Sequence, residues 1–216
     1  MNETNEYLES LLPKRSDEVS EIEQFAKDHD VPIMEPSAIA VLLQLLTLKK
    51  PGKILEIGAA IGYSSIRMAQ TLPYTSIITI ERDEQRYEEA MSNIQKLNLE
   101  GRISLIKGDA LELYEIVKMN APYDVLFIDA AKGQYKRFFE LYEPLLSQSG
   151  MIVTDNVLFK GLVAGSIDHI ESRRVRSLIK KIRHYNEWLN AHPDYQTTIL
   201  PIGDGIAVSL KRGEER

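Results

Sequence analysis

The spacing of apolar positions divides the chain into a helical start and a β/α remainder. Val19, Ile22 and Phe25 recur at helical spacing behind Ser16-Asp17-Glu18, a capping residue followed by acids that suit a helix N-terminus. Val31-Pro32 stops that helix, and Pro36 opens a second that carries Ile39, Leu42, Leu43 and Leu46 towards Lys50. Pro51-Gly52 ends it. From there short apolar runs alternate with longer amphipathic segments. Strands are predicted over Lys53–Ile57, Ser76–Ile80, Ile103–Ile106, Tyr123–Ile128 and Met151–Thr154. Helices are predicted over Tyr63–Leu72, Asp83–Leu97, a stretch ending near Met119, Tyr135–Leu146 and Glu171–Asn190. Two last strands, Gln196–Pro201 and Ile206–Leu210, flank the turn signal Gly203-Asp204-Gly205. Five β/α steps and a closing hairpin predict a doubly wound α/β fold: a mostly parallel, seven-stranded sheet with an antiparallel C-terminal edge.

Composition narrows this picture only modestly. A chain of 216 residues suits one domain with a full core, and no repeat or linker divides it. The expectation is a single domain over 1–216, with N-terminal helices over 1–50 and the α/β core over 51–216. The absence of Cys excludes disulfides, thiolate metal sites and a Cys nucleophile. The polar N-terminus carries no apolar signal segment, and no apolar run is long enough to span a bilayer, so the expected location is cytoplasmic. A net charge of −6 argues against a general nucleic-acid coat protein, though not against a local basic surface.

Candidate chemistry collects at the predicted strand ends, where such sheets bind ligands. Leu55-Glu56-Ile57-Gly58 runs through Ala59-Ala60-Ile61 to Gly62-Tyr63-Ser64. Gly58 and Gly62 would let the backbone approach a ligand, and Ser64 at a helix N-terminus suits a carboxylate. Glu81, ending the second strand, could accept hydrogen bonds from ribose hydroxyls; the alternative is a glycine turn beside a solvated acid. The loop is not G-x-G-x-x-G and lacks G-K-[ST], which counts against nicotinamide and P-loop sites. Asp129 ends the fourth strand, and Asp155-Asn156 end the fifth. Two carboxylates and an amide on neighbouring strand ends suit a hard cation such as Mg²⁺ or Mn²⁺, although strands also end in acids simply because they reach the surface. Lys132 lies three residues past Asp129, either as a proton acceptor favoured by a nearby dication or as a solvated lysine.

These residues together resemble the cation-dependent O-methyltransferases, the group that includes the catechol and caffeoyl-CoA enzymes. The resemblance rests on the loop just described, on Ile80-Glu81 and on Gly108-Asp109-Ala110. It continues through Phe127-Ile128-Asp129-Ala130-Ala131-Lys132 with Tyr135, and Asp155-Asn156-Val157. It covers nearly the whole chain and implies the class I methyltransferase variant of the doubly wound fold. It further implies that Gly58, Tyr63, Ser64 and Glu81 contact S-adenosylmethionine, with Asp109 and Ala110 near the adenine. Asp129, shared between cofactor and metal, would join Asp155 and Asn156 in holding Mg²⁺, with Lys132 as general base. Ala130-Ala131 stand where animal catechol enzymes carry His-Trp, so catechol itself does not follow. Within the family the chain is most similar to a bacterial branch that converts 5-hydroxyuridine at the tRNA wobble position to 5-methoxyuridine.

One pattern bears on that substrate independently. Arg173, Arg176, Lys180 and Arg183 fall three and four apart and form a basic stripe, opposite Val175, Leu178, Ile179, Ile182 and Leu189. Lys136, Arg137 and Lys160 add charge near the expected pocket mouth. The stripe is either a set of tRNA phosphate contacts or a solvated helix face. Tyr7, Leu8, Leu11 and Leu12 have no place in the α/β core and point to a homodimer, as in many family members. The competing readings are a small-molecule catechol-type methyltransferase, a nicotinamide oxidoreductase and a non-enzymatic RNA- or S-adenosylmethionine-binding module.

Overall fold

In the computed structural model, which describes residues 3–212, strand character follows from burial on both faces. Val125, Leu126, Phe127 and Ile128 of β4 (Tyr123–Ile128) are all fully buried. Such a continuous apolar run marks a parallel strand covered by helices on both sides. The other parallel strands are β1 (Lys53–Ile57), β2 (Ser76–Glu81), β3 (Ile103–Lys107) and β5 (Leu146–Thr154). The closing strands are β6 (Tyr195–Leu200) and β7 (Ile206–Lys211). The sheet order is β3-β2-β1-β4-β5-β7-β6. The chain passes to the outer position as β6, then returns as β7 antiparallel to both β5 and β6. This is the class I methyltransferase sheet expected from the sequence.

Side chains alternate across the sheet with a period of two, so one strand feeds two cores. Ile54, Val125, Phe127 and Val153 face α2 (Asp17–Asp28), α3 (Pro36–Lys49) and α4 (Tyr63–Thr71). The N-terminal helices therefore share a core with the sheet. Leu55, Leu126, Ile128 and Ile152 face the opposite layer, where α7 (Tyr135–Tyr142) and α8 (Arg173–Asn190) supply Phe139, Tyr142, Tyr185 and Leu189. The remaining helices are α1 (Glu3–Ser10), α5 (Glu84–Lys96) and the short α6 (Tyr114–Lys118).

Boundaries differ from the sequence expectation where tertiary pairing overrides local pattern. β5 starts at Leu146, not Met151, because Leu146 pairs with Tyr123 across a register shift in β4. The polar stretch Ser147-Gln148-Ser149 hides that strand. α7 stops at Tyr142, and Glu143–Leu145 continue as a 3₁₀ turn around Pro144, whose ring is incompatible with a helix interior. α8 begins at Arg173, where the Ser172 side chain caps Val175 N–H.

Candidate active site

β1 and β4 are adjacent at the switch in strand order, and their carboxyl ends open one cavity of about 320 Å³. Its walls include Gly58, Glu81, Asp109, Ala110, Asp129, Lys132, Asp155 and Asn156, so eight residues singled out from five separate segments converge. The loop after β1 fits there only because Gly58 lacks a side chain. Its φ is +100°, and a Cβ would lie 2.1 Å from the Asp129 carbonyl oxygen.

Glu81 is buried, and its carboxylate is fixed by backbone donors. Ala60 N–H donates to Oε2 at 2.8 Å, while Arg82 and Asp83 N–H donate to Oε1 at 2.9 and 2.8 Å. The oriented carboxylate keeps lone pairs for ligand hydroxyls. Asp109 Oδ1 accepts from Leu111 N–H at 2.9 Å, holding the turn that places Ala110 against the cavity.

The side chains of Tyr63 and Ser64 do not line this cavity. The Tyr63 hydroxyl donates to Glu23 Oε1 at 2.7 Å and accepts from Arg67 at 3.0 Å, within the core beneath α2 and α4. The Ser64 hydroxyl donates to Glu56 Oε1 at 2.5 Å. Helix α4 begins at Tyr63 behind Gly62, and its first-turn N–H groups have no intrahelical acceptor, as at any helix N-terminus. Glu56, which the sequence reading passed over, is fully buried and also accepts from Thr79 at 2.5 Å. Burial raises its pKa to about 7 despite these two hydroxyl donors. A lone acid inside the apolar run Ile54–Ile57 was the available signal. The cavity also takes Pro32 and Ile33 from the α2–α3 connection, and Ala60, Arg82 and Arg86, none of which has a chemical signature in sequence.

The strand-end oxygens form an electrostatically unsatisfied group. Asp155 is 2 % exposed; its Oδ1 is buried without any hydrogen-bond partner, while Oδ2 accepts from Asn156 Nδ2 at 3.2 Å. Burial and the neighbouring Asp129 charge push the Asp155 carboxyl well above its usual range. Asp129 is pushed up to about 6 by burial, opposed by Lys132 and reinforced by Glu81. The Lys132 ammonium donates to Asn156 Oδ1 at 2.6 Å. Tyr135 supports the group from behind, its hydroxyl donating to the Asp155 carbonyl at 2.9 Å. Among the described residues no three His, Cys, Asp or Glu side chains converge as a metal cluster; this set is two carboxylates and an amide. An orphaned buried carboxylate oxygen beside a second carboxylate fits a bound cation, which would relieve both.

The basic stripe on α8 is less free than its spacing suggests. Arg183 donates to the carbonyls of Val163 (2.6 Å) and Gly165, and Arg176 to those of Ile170 and Glu171 (3.2 Å for the latter). Both guanidiniums thus fasten the β5–α8 loop, whose Val163 packs with Ile179 and Ile182 in a separate small core. Arg173 and Lys180 remain exposed. Among the described residues no helix is long and apolar enough to cross a membrane.

Known proteins share this architecture. The family model for O-methyltransferases matches residues 10–212. The chain is 30% identical to a caffeoyl-CoA O-methyltransferase of Stellaria longipes, across 91% of this chain and 84% of the relative. Among solved structures, a Staphylococcus aureus protein provisionally described as a caffeoyl-CoA O-methyltransferase superposes with a TM-score of 0.92 at 40% identity. That match covers 98% of this chain and all (100%) of the other. An O-methyltransferase of Bacillus cereus in complex with S-adenosylhomocysteine superposes with a TM-score of 0.82 at 27% identity, covering 98% of each chain. S-adenosylhomocysteine is what remains when S-adenosylmethionine has given up its methyl group. With a family match over almost the full length and an adenosyl-ligand complex on the same fold, this chain belongs to the O-methyltransferase family and is an S-adenosylmethionine-dependent O-methyltransferase.

Proposed function

We propose that the enzyme is dependent on Mg²⁺ or Mn²⁺ and methylates a hydroxyl that has a second oxygen beside it. The observation that carries this reading is the unpartnered, buried Asp155 Oδ1 next to Asp129 and Asn156. Those three side chains would hold the cation, which supplies Lewis-acid stabilisation of an acceptor oxygen as it becomes an anion. Glu81 binds the ribose, the α4 N-terminus receives the methionine carboxylate, and Asp109-Ala110 border the adenine. Lys132, with its neutral amine favoured beside the dication, takes the hydroxyl proton on Nζ. The acceptor oxygen then bonds to the sulfonium methyl, the sulfur–carbon bond breaks, and S-adenosylhomocysteine leaves with the sulfur electron pair.

For the acceptor we propose 5-hydroxyuridine at the tRNA wobble position, giving 5-methoxyuridine. Its 5-hydroxyl and O4 are the required oxygen pair, and the sequence resemblance to the bacterial tRNA branch supports it. Of the α8 stripe, Arg173 and Lys180 are open to phosphates, whereas Arg176 and Arg183 are engaged with the loop. The caffeoyl-CoA relatives favour a second reading, a small catechol-type acceptor. Methyl transfer from labelled S-adenosylmethionine to bulk tRNA and, in parallel, to a catechol panel separates them. Label in tRNA, mapped to the wobble nucleoside, is the expected result; label only in catechols would replace it with the second reading.

Assembly is also proposed. Tyr7, Leu8 and Leu11 are 63%, 44% and 61% exposed, an apolar face at the N-terminus that suits a homodimer. Light scattering at micromolar concentration is expected to give twice the chain mass, and a monomer mass would reject it.

A further inference from the structure

A second cleft, of about 380 Å³, opens between α8 and the segment Lys132–Lys136. Lys132, Lys136, Lys180, Lys181 and His184 line it together with Tyr135 and Tyr185. Lys132 borders both this cleft and the active-site cavity, so the two share a wall. Tyr135 is the other link, since its hydroxyl reaches the Asp155 carbonyl at 2.9 Å.

The charge in this cleft is concentrated and poorly balanced. Among the described residues, neither Lys180 nor Lys181 is within 4.0 Å of a carboxylate. Among the described residues Lys136 meets one carboxylate, the exposed Glu140 at 3.6 Å, and it lies over the Trp188 ring at 5.0 Å. Lys181 folds across Gly133, where a Cβ would sit 3.6 Å from its Nζ, so a helix cation is brought over the segment next to Lys132. A solvated helix face would splay such residues apart. Here cations from two elements turn into one concavity, on a protein of net charge −6. Like charges held together in a cleft repel unless an anion joins them, and the local field concentrates anions there.

We propose that this cleft is a phosphoryl-binding subsite for the acceptor substrate, gripping a phosphate while the acceptor's oxygen pair occupies the adjoining cavity. The inference rests on the O-methyl-transfer reading and adds a requirement for a phosphate on the acceptor. Lysine ammonium groups are flexible point charges that suit phosphate oxygens approached from several directions. The phosphate has two sources: an RNA phosphodiester, or the coenzyme A portion of an acyl thioester such as the named substrate of the relatives.

Two measurements test the subsite. Titration calorimetry with inorganic pyrophosphate, on the S-adenosylhomocysteine complex, should show saturable binding by the wild type. Binding should be about tenfold weaker or more in Lys136→Glu/Lys181→Glu, as expected for loss of charge-assisted contacts. The single exposed variant Lys181→Gln should fall between, which guards against a folding defect. Absence of pyrophosphate binding, or equal affinity in all three proteins, overturns the subsite. Methyl transfer then identifies the source through two acceptor pairs, 5-hydroxyuridine against an anticodon stem-loop that contains it, and caffeic acid against caffeoyl-CoA. The phosphate-bearing member of one pair should be preferred by the wild type, and the double variant should remove that preference by raising KM. The preference should be lost without loss of kcat on the phosphate-free member. With the stem-loop, the salt slope should fall by about 0.7 per lost contact. A preference that survives in the variant overturns the subsite while O-methyl transfer stands. If pyrophosphate binds as expected but no acceptor is methylated, the acceptor reading fails and the anion site remains.

Discussion

Asp155→Ala is expected to reduce methyl transfer by roughly 10²–10³-fold or more, the scale on which removal of preorganised charge stabilisation is felt. Cofactor affinity should stay within a few-fold, because Glu81 lies at the end of another strand, β2, and keeps its own backbone donors. The variant removes the one buried carboxylate oxygen that, among the described residues, has no protein partner. A structural aspartate with filled hydrogen bonds would lose stability instead of activity. Here the reverse is expected: without a cation, deleting a buried carboxylate with one oxygen unpartnered and a second carboxylate beside it should be neutral or stabilising in thermal denaturation. Excess chelator on the wild type should match the variant, and added Mg²⁺ or Mn²⁺ should restore only the wild type. Acid should mimic chelator. Asp129, whose carboxyl is pushed up to about 6, must lose its proton to bind a cation, so apparent metal affinity should fall as pH drops through that value. Full turnover in excess chelator would reject the whole assignment.

The second large effect is at Lys132. Replacement by Ala should lower kcat by roughly 10²–10⁴-fold if the amine accepts the hydroxyl proton. The Lys132 ammonium also donates to Asn156 Oδ1 at 2.6 Å, so the Ala variant alone would leave a positioning role open. Lys132→Arg separates the two. A guanidinium keeps the charge and the donor but does not release a proton near neutral pH. If Lys132 is the base, Arg should be as slow as Ala; recovery to near wild-type rate with Arg would make it a positioning cation. S-adenosylmethionine binding should be little changed in either variant.

What was legible in the sequence was mostly backbone pattern and strand-end chemistry. Runs such as Val125–Ile128 announced buried parallel strands, and the glycine after β1 and the acids at the ends of β2, β4 and β5 marked the ligand end of the sheet. That is why Gly58, Glu81, Asp129 and Asp155 could be named from positions in a pattern, yet lie in one cavity. What the sequence did not reveal are side-chain partners, which spacing does not specify. Tyr63 and Ser64 sit beside the glycine loop in sequence, but helical geometry turns one onto Glu23 and the other onto Glu56. Arg176 and Arg183 match a solvated stripe by period, and only the return of the β5–α8 loop reveals the carbonyls that they bind. The Pro32-Ile33 wall and the insertion of β7 between β5 and β6 depend on long-range contacts with no local signature. Lys181 likewise acquires its place over Gly133 only in three dimensions.

The central claim is that Asp129, Asp155 and Asn156 hold one divalent cation in this methyltransferase. Electron paramagnetic resonance of Mn²⁺ tests it without any acceptor, since free aqueous Mn²⁺ gives a sharp signal that is lost on binding. Titration of the S-adenosylmethionine complex at pH 8 should remove one Mn²⁺ per chain, with Mg²⁺ competing, and Asp155→Ala should remove none. A wild-type titration curve that overlays buffer, or one that overlays the Asp155→Ala curve, would contradict the assignment.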